Sequence, residues 1–127
     1  MHITSASSLT VAYYDSVAID GNLTVNNSST LKNYGNLKIT GNAKTASDYS
    51  GFIINDGNLS VDGDFSVSSI NMENADATLS IAGNISYISH SNITDGTVIF
   101  NGTVQQSVSG LKAHNITVTN PQGIKYT

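Results

Sequence analysis

Apolar, any, apolar, any, Gly, then Asn, Asp or Thr, then apolar: this block recurs five times and restricts the fold more than any other feature of the chain. It reads Val17-Ala18-Ile19-Asp20-Gly21-Asn22-Leu23, then Leu37-Lys38-Ile39-Thr40-Gly41-Asn42-Ala43, then Leu59-Ser60-Val61-Asp62-Gly63-Asp64-Phe65. It returns as Leu79-Ser80-Ile81-Ala82-Gly83-Asn84-Ile85 and as Val98-Ile99-Phe100-Asn101-Gly102-Thr103-Val104. The glycines Gly21, Gly41, Gly63, Gly83 and Gly102 are spaced by 20, 22, 20 and 19 residues. A near-constant period of this size marks a solenoid, in which each repeat buries its apolar face only by stacking on its neighbours.

The physics inside one repeat agrees. Apolar residues alternating with polar ones make a strand with one buried face. The glycine is read as supplying the positive φ of a sharp corner. A second short strand follows it, as in Leu23-Thr24-Val25 and Phe65-Ser66-Val67. A third apolar stretch holds Leu31 with Tyr34, Phe52 with Ile54, Ile70 with Met72, and Ile93. Three short strands per repeat predict an all-β, single-chain right-handed parallel β-helix of about five coils of ~20 residues. At ~4.8 Å per coil the rod is about 25 Å long. Residues 1–16 are read as an N-terminal cap or partial coil, 17–104 as the repeats and 105–127 as C-terminal capping strands, all in one domain. Ile116 and Val118 read as one more strand, closed by Pro121. A β-sandwich is the rival architecture, but it has no reason to keep a 20-residue period.

Stacked corners predict a ladder of Asn22, Asn42, Asp64, Asn84 and Thr103 along the axis. Inward-pointing Asn amides in such a ladder bond to one another and to backbone. Asp64 and Thr103 are expected to interrupt it.

Composition limits the function. Charged residues are 11% of the chain, against roughly 25% in ordinary domains. The surface is therefore built from Ser, Thr, Asn and Gly. With no arginine, five lysines and a net charge of −4, the chain lacks the clustered cations that displace phosphate counterions, so no nucleic-acid partner is expected. No apolar run approaches the ~18 residues of a membrane span, so no membrane insertion is expected. The first 25 residues lack a signal peptide's charged start and apolar core, so a secreted protein containing this chain would extend beyond it. There is no cysteine for a disulfide or thiolate site.

Catalysis is not expected. His2, His90 and His114 are too scattered for a triad. A polysaccharide-active enzyme would need paired carboxylates. Asp20 and Asp62 share a repeat position two coils apart, but Thr40 lies between them, and Asp before Gly is ordinary turn chemistry. No cofactor is expected. Calcium is the exception left open, at Asp62-Gly63-Asp64 with Asp56, although the glycine-rich calcium-binding nonapeptide is absent. An ice-binding face would need hydroxyls where the sequence has Ala18, Lys38, Ser60, Ser80 and Ile99. Asn-x-Ser/Thr patterns, among them those at Asn22, Asn58, Asn84, Asn92, Asn101 and Asn115, coincide with turns, where Asn belongs anyway. If the chain binds a ligand, the looser 22-residue coil offers Tyr49 and Phe52 as a stacking platform.

The stretch Gly96-Thr97-Val98-Ile99-Phe100-Asn101-Gly102-Thr103-Val104-Gln105-Gln106-Ser107-Val108-Ser109-Gly110, followed by His114-Asn115-Ile116-Thr117-Val118 and Asn120-Pro121-Gln122-Gly123, resembles a block in large repetitive bacterial surface proteins. The coils before it look like the stalks of filamentous-haemagglutinin-type adhesins and contact-dependent toxin carriers. The resemblance covers the chain from about Val17 and transfers no catalytic residue. It implies a secreted or cell-surface bacterial protein and a structural stalk or adhesin role. Its implied partners are a host-cell glycan or surface protein, with end-to-end or edge association between rods.

Overall fold

The computed structural model describes residues 1–3, 7–26, 28–45, 51–86 and 90–127. These residues contain strands and turns and no helix. The chain winds as a parallel β-solenoid of about six turns. The first coil holds β1 (His2–Ile3), β2 (Ser8–Val11) and β3 (Ser16–Ile19). The second holds β4 (Leu23–Val25), β5 (Thr30–Asn33) and β6 (Asn36–Ile39), and the third β7 (Ala43–Thr45), β8 (Phe52–Asn55) and β9 (Asn58–Val61). The fourth holds β10 (Phe65–Ser66), β11 (Ser69–Met72) and β12 (Thr78–Ile81). The fifth enters through a bridge at Ile85 and continues in β13 (His90–Ile93) and β14 (Thr97–Phe100). The sixth has β15 (Gln106–Val108) and β16 (Asn115–Val118), and β17 (Ile124–Tyr126) starts another turn.

Each strand pairs with its equivalents one coil away, so the coils form three parallel sheets. Sheet A runs β1-β4-β7-β10 and continues through Ile85 to β15 and β17. Sheet B runs β2-β5-β8-β11-β13, and sheet C runs β3-β6-β9-β12-β14-β16. The segment 1–16 is more than a cap. His2 pairs with Thr24 and Leu9 with Leu31, so it supplies two strands of a regular coil. The sixth turn comes from β15 and β16, which lie beyond the last glycine-centred block.

The core is a set of vertical apolar rows. Leu37, Leu59, Leu79 and Val98 stack on sheet C, beside Ile39, Val61, Ile81 and Phe100, all buried. Leu23, Ala43, Phe65, Ile85 and Val108 form the row from sheet A. Each fully buried Leu, Ile or Phe contributes ~1.5–3 kcal/mol relative to leaving it in water.

Of the third apolar stretches, Leu31, Ile70, Met72 and Ile93 are buried, whereas β8 departs from expectation. Phe52 and Ile54 are not the inward pair of β8. Leu31 pairs with Ile53 and Asn33 with Asn55, which buries Ile53 and Asn55 and turns Phe52 and Ile54 outward, half-buried. A strand's side-chain period is two, so a one-residue shift reverses both faces. The reason for this choice is a buried amide pair. The Asn33 amide donates to Asn55 Oδ1 at 3.0 Å and to the Asn58 carbonyl at 3.0 Å, and the Asn55 amide donates to the Thr78 carbonyl at 2.8 Å. The inward asparagines are therefore Asn33 and Asn55.

The predicted corner ladder exists, but on the outside and with a different top. Asn22 Oδ1 accepts from the Asn42 amide N–H at 2.8 Å, Asn42 Oδ1 from Asp64 N–H at 2.8 Å, and Asp64 Oδ1 from Asn84 N–H at 2.7 Å. All four side chains are exposed. Asp64 does not interrupt the ladder, because only an acceptor oxygen is required and a carboxylate has one. Thr103 is not a rung. Asn84 Oδ1 accepts instead from Ser107 N–H at 2.8 Å, and Thr103, Val104 and Gln105 bulge from the corner, with Val104 71% exposed.

The corner glycines also act differently from the sequence reading. Only Gly21 has positive φ (112°). Gly41, Gly63 and Gly83 are needed for close approach. A Cβ on each would collide with the backbone of the glycine one coil back and with the side-chain oxygen of Asn22, Asn42 or Asp64. The glycine amides bond directly along the stack, Gly41 to Gly21 at 2.8 Å, Gly63 to Gly41 at 3.0 Å and Gly83 to Gly63 at 3.0 Å. At Gly102 the obstructing atoms are the Ala82 carbonyl and the Gln106 side chain.

Candidate functional site

Among the described residues, two hollows on the outer faces carry aromatic rings, both missed or only half seen in the sequence; a third, of about 340 Å³, lies on sheet C around Val17, Leu37 and Lys38. The first is on sheet B. The register that turns Phe52 outward stacks it with Ser69 and His90, while Ile54, Asn71 and Asn92 form the neighbouring row. Phe52, Asn71, His90, Asn92 and Lys112 line a hollow of about 580 Å³. Its polar wall is pre-ordered. Glu73 Oε1 accepts from the Asn92 amide at 3.1 Å and, more loosely, from the Asn71 amide at 3.5 Å, and Ser91 Oγ donates to the Lys112 carbonyl at 3.3 Å. One aromatic face with amides, an imidazole and an ammonium beside it suits a polar ligand with an apolar side. Tyr49, the other half of the predicted platform, lies outside the described residues.

The second surface is the corner between sheets B and C. There Tyr13 and Tyr14 follow β2, Tyr34 follows β5, Asp56 follows β8 and Asp76 precedes β12. The rings of Tyr13 and Tyr34 stack at 5.3 Å with 23° between planes. Tyr14 is 99% exposed and has φ 68°, a backbone region that costs a bulky residue ~1–3 kcal/mol. With Asn36 and Asn58 these residues line a hollow of about 260 Å³. Their convergence is not legible along the chain, because the tyrosines belong to two coils.

The carboxylates weighed for a catalytic pair and for calcium do not gather among the described residues. Thr40 stands between Asp20 and Asp62, as the repeat implied. Its hydroxyl donates to Asp20 Oδ1 at 3.1 Å and accepts from Gly21 N–H at 2.8 Å. Asp62 faces Lys38 across 3.4 Å. Asp56 sits at the B–C corner, whereas Asp62 and Asp64 sit where sheet C turns into sheet A. Among the described residues no three His, Cys, Asp or Glu side chains converge as a metal site would require. Ala18, Lys38, Ser60, Ser80 and Ile99 do form one outward row of sheet C, and the parallel row is Ser16, Asn36, Asn58, Thr78, Thr97 and Asn115. Among the described residues no helix is long and apolar enough to cross a membrane.

No family model matches the chain, and no curated protein and no solved structure matches it either.

Proposed function

We propose that this chain is a structural rod segment of a larger secreted or cell-surface bacterial protein, and that it performs no catalysis. The observation that carries the reading is the state of the terminal coils. Ile116 and Val118 pair with Val98 and Phe100, which are fully buried, yet they stand 45% and 43% exposed. At the other end Val17, in register with Leu37, is 39% exposed. Apolar positions of sheet C thus stand open at both ends, although Ile3, Val11 and Ile19 of the first coil are buried, and the edges of β3 and β16 each pair on one side only. Exposed edges of this kind pair readily with further strands. A rod that continues by adding coils of the same geometry satisfies both ends, and backbone ladders along sheets B and C, with sheet A bridged through Ile85, make it stiff.

Sedimentation velocity and small-angle scattering over rising concentration test this. The expected result is a particle that lengthens end to end, and Ile116→Asp combined with Val118→Asp stops the lengthening while the fold survives. A compact monomer at every concentration overturns the open-rod reading.

The hollow at Phe52 favours a second reading, an adhesin module that holds a host glycan or surface protein on sheet B. Its test is binding to a broad glycan array and to intact host cells, with heat-unfolded chain as control. Saturable binding lost in Phe52→Ser supports it, and binding equal to that of the unfolded chain removes it.

A further inference from the structure

The tyrosine corner carries a site that neither rod-building nor the Phe52 hollow explains. Stacking uses one face of Tyr13 and one of Tyr34, and Tyr13 remains 62% exposed. Tyr14 is held in solvent by a backbone conformation that glycine or asparagine would adopt more readily. The opposite wall is anionic. Asp56 accepts one long bond, 3.4 Å, from Glu73 N–H, and among the described residues the Asp76 carboxylate has no hydrogen-bond partner. Asn36 and Asn58 between them are held in place. The Asn58 amide donates to Asn36 Oδ1 at 2.9 Å, and Asn58 Oδ1 accepts from Thr78 Oγ1 at 2.8 Å. No lysine or histidine lines the hollow.

We propose that this corner binds an organic cation, a quaternary ammonium or guanidinium group, over the tyrosine faces and between Asp56 and Asp76. Ring faces carry negative quadrupole potential and attract a cation placed within about 6 Å of the centroid. The two carboxylates add the opposite charge at the sides, and the chain's net charge of −4 adds longer-range attraction. A weakly hydrated organic cation gives up its water readily, as guanidinium does compared with ammonium. The cation comes either from a small molecule or from the side chain of a basic peptide, and both present the same chemistry.

The test is a nuclear magnetic resonance titration of the full chain with choline, with a capped arginine peptide, and with the uncharged carbon isostere of choline. The expected result is saturable shifts at the rings of Tyr13, Tyr14 and Tyr34 and the amides of Asp56 and Asp76, with the isostere about tenfold weaker or worse. Saturation by choline identifies the small-molecule source, and saturation by the peptide alone identifies the side-chain source. Asp56→Asn with Asp76→Asn weakens the cation by about tenfold at low salt, and high salt weakens the parent chain similarly. Tyr14→Gly raises the melting temperature yet weakens binding, a split that a purely structural tyrosine would not give. The proposal is overturned by no saturable shift with either cation, by equal binding of the isostere, or by unchanged binding in Tyr14→Gly or in a folded Asn double variant.

Discussion

A Cβ is the smallest side chain there is, and at Gly63 it already has nowhere to go. The Gly41 carbonyl and the Asn42 side-chain Oδ1 occupy its place, and the ladder bond from Asp64 N–H holds that oxygen there. Gly63→Ala is expected to lower stability by about 1–3 kcal/mol, the usual range for overpacking, read as a drop in denaturant midpoint. Gly21→Ala meets no atom and costs only its φ, about 1 kcal/mol. The rung at Asp64 separates charge from acceptor. Asp64→Asn keeps the oxygen that receives Asn84 N–H and should leave the melting temperature nearly unchanged. Asp64→Ala removes it and should cost about 0.5–1.5 kcal/mol, toward the low end because water reaches this exposed corner. Equal losses in both variants would mean that the negative charge, not the acceptor, matters there.

Among elements, the link from β14 to β15 is the one that breaks the repeat. Four extra residues, Thr103 to Gln106, lie between Gly102 and the rung at Ser107; the first three leave the corner, and buried Gln106 fills the gap. Its Nε2 donates to the Ile81 carbonyl at 2.9 Å and to the Gly83 carbonyl, and its Oε1 accepts from Gly102 N–H and the Asn120 amide, each at 2.9 Å. One amide thus replaces the backbone bonds of a missing rung. Gln106→Leu keeps the bulk and strips all four partners. Each buried group left unpaired costs ~1–3 kcal/mol, so a total loss of at least about 2 kcal/mol is expected in chemical denaturation. Asn55→Leu is expected to act similarly on the inner pair, leaving the Asn33 amide short of one acceptor and the Thr78 carbonyl without its side-chain donor. Asn33 Oδ1 is already the one buried side-chain polar atom without a partner among the described residues. If Asn55→Leu proves neutral, the amide pair does not set the register of β8, and the outward placement of Phe52 needs another cause.

At the scale of the whole molecule, cohesion comes from rows that no single coil completes. Leu59→Ala, in mid-row between Leu37 and Leu79, should cost about 2–5 kcal/mol, since neighbours held in parallel ladders relax little into the space. The equivalent change at half-exposed Ile116 should cost far less, because that position already meets water. A melting-temperature series along the row would then fall in the middle and recover at the end.

The solenoid is legible from the repeat alone. Five glycine-centred blocks at near-constant spacing dictate which strands stack on which, and the registers of β6, β9, β12 and β14 follow the blocks residue for residue. Asn22, Asn42 and Asn84 at the corner were readable for the same reason, since a period read along the chain becomes a row in space. What tertiary structure decided lies where that period fails. Which face of β8 turns inward depended on a hydrogen bond from Asn33, 22 residues away. The top of the corner ladder depended on how a bulge was absorbed by Gln106. The meeting of Tyr13 with Tyr34, and of both with Asp56 and Asp76, depended on coils landing above one another at a corner outside the recurring block. Backbone pairing obeys a repeat that local sequence announces. Side-chain company at the outer surface depends on the distances between coils, and only the folded chain sets those.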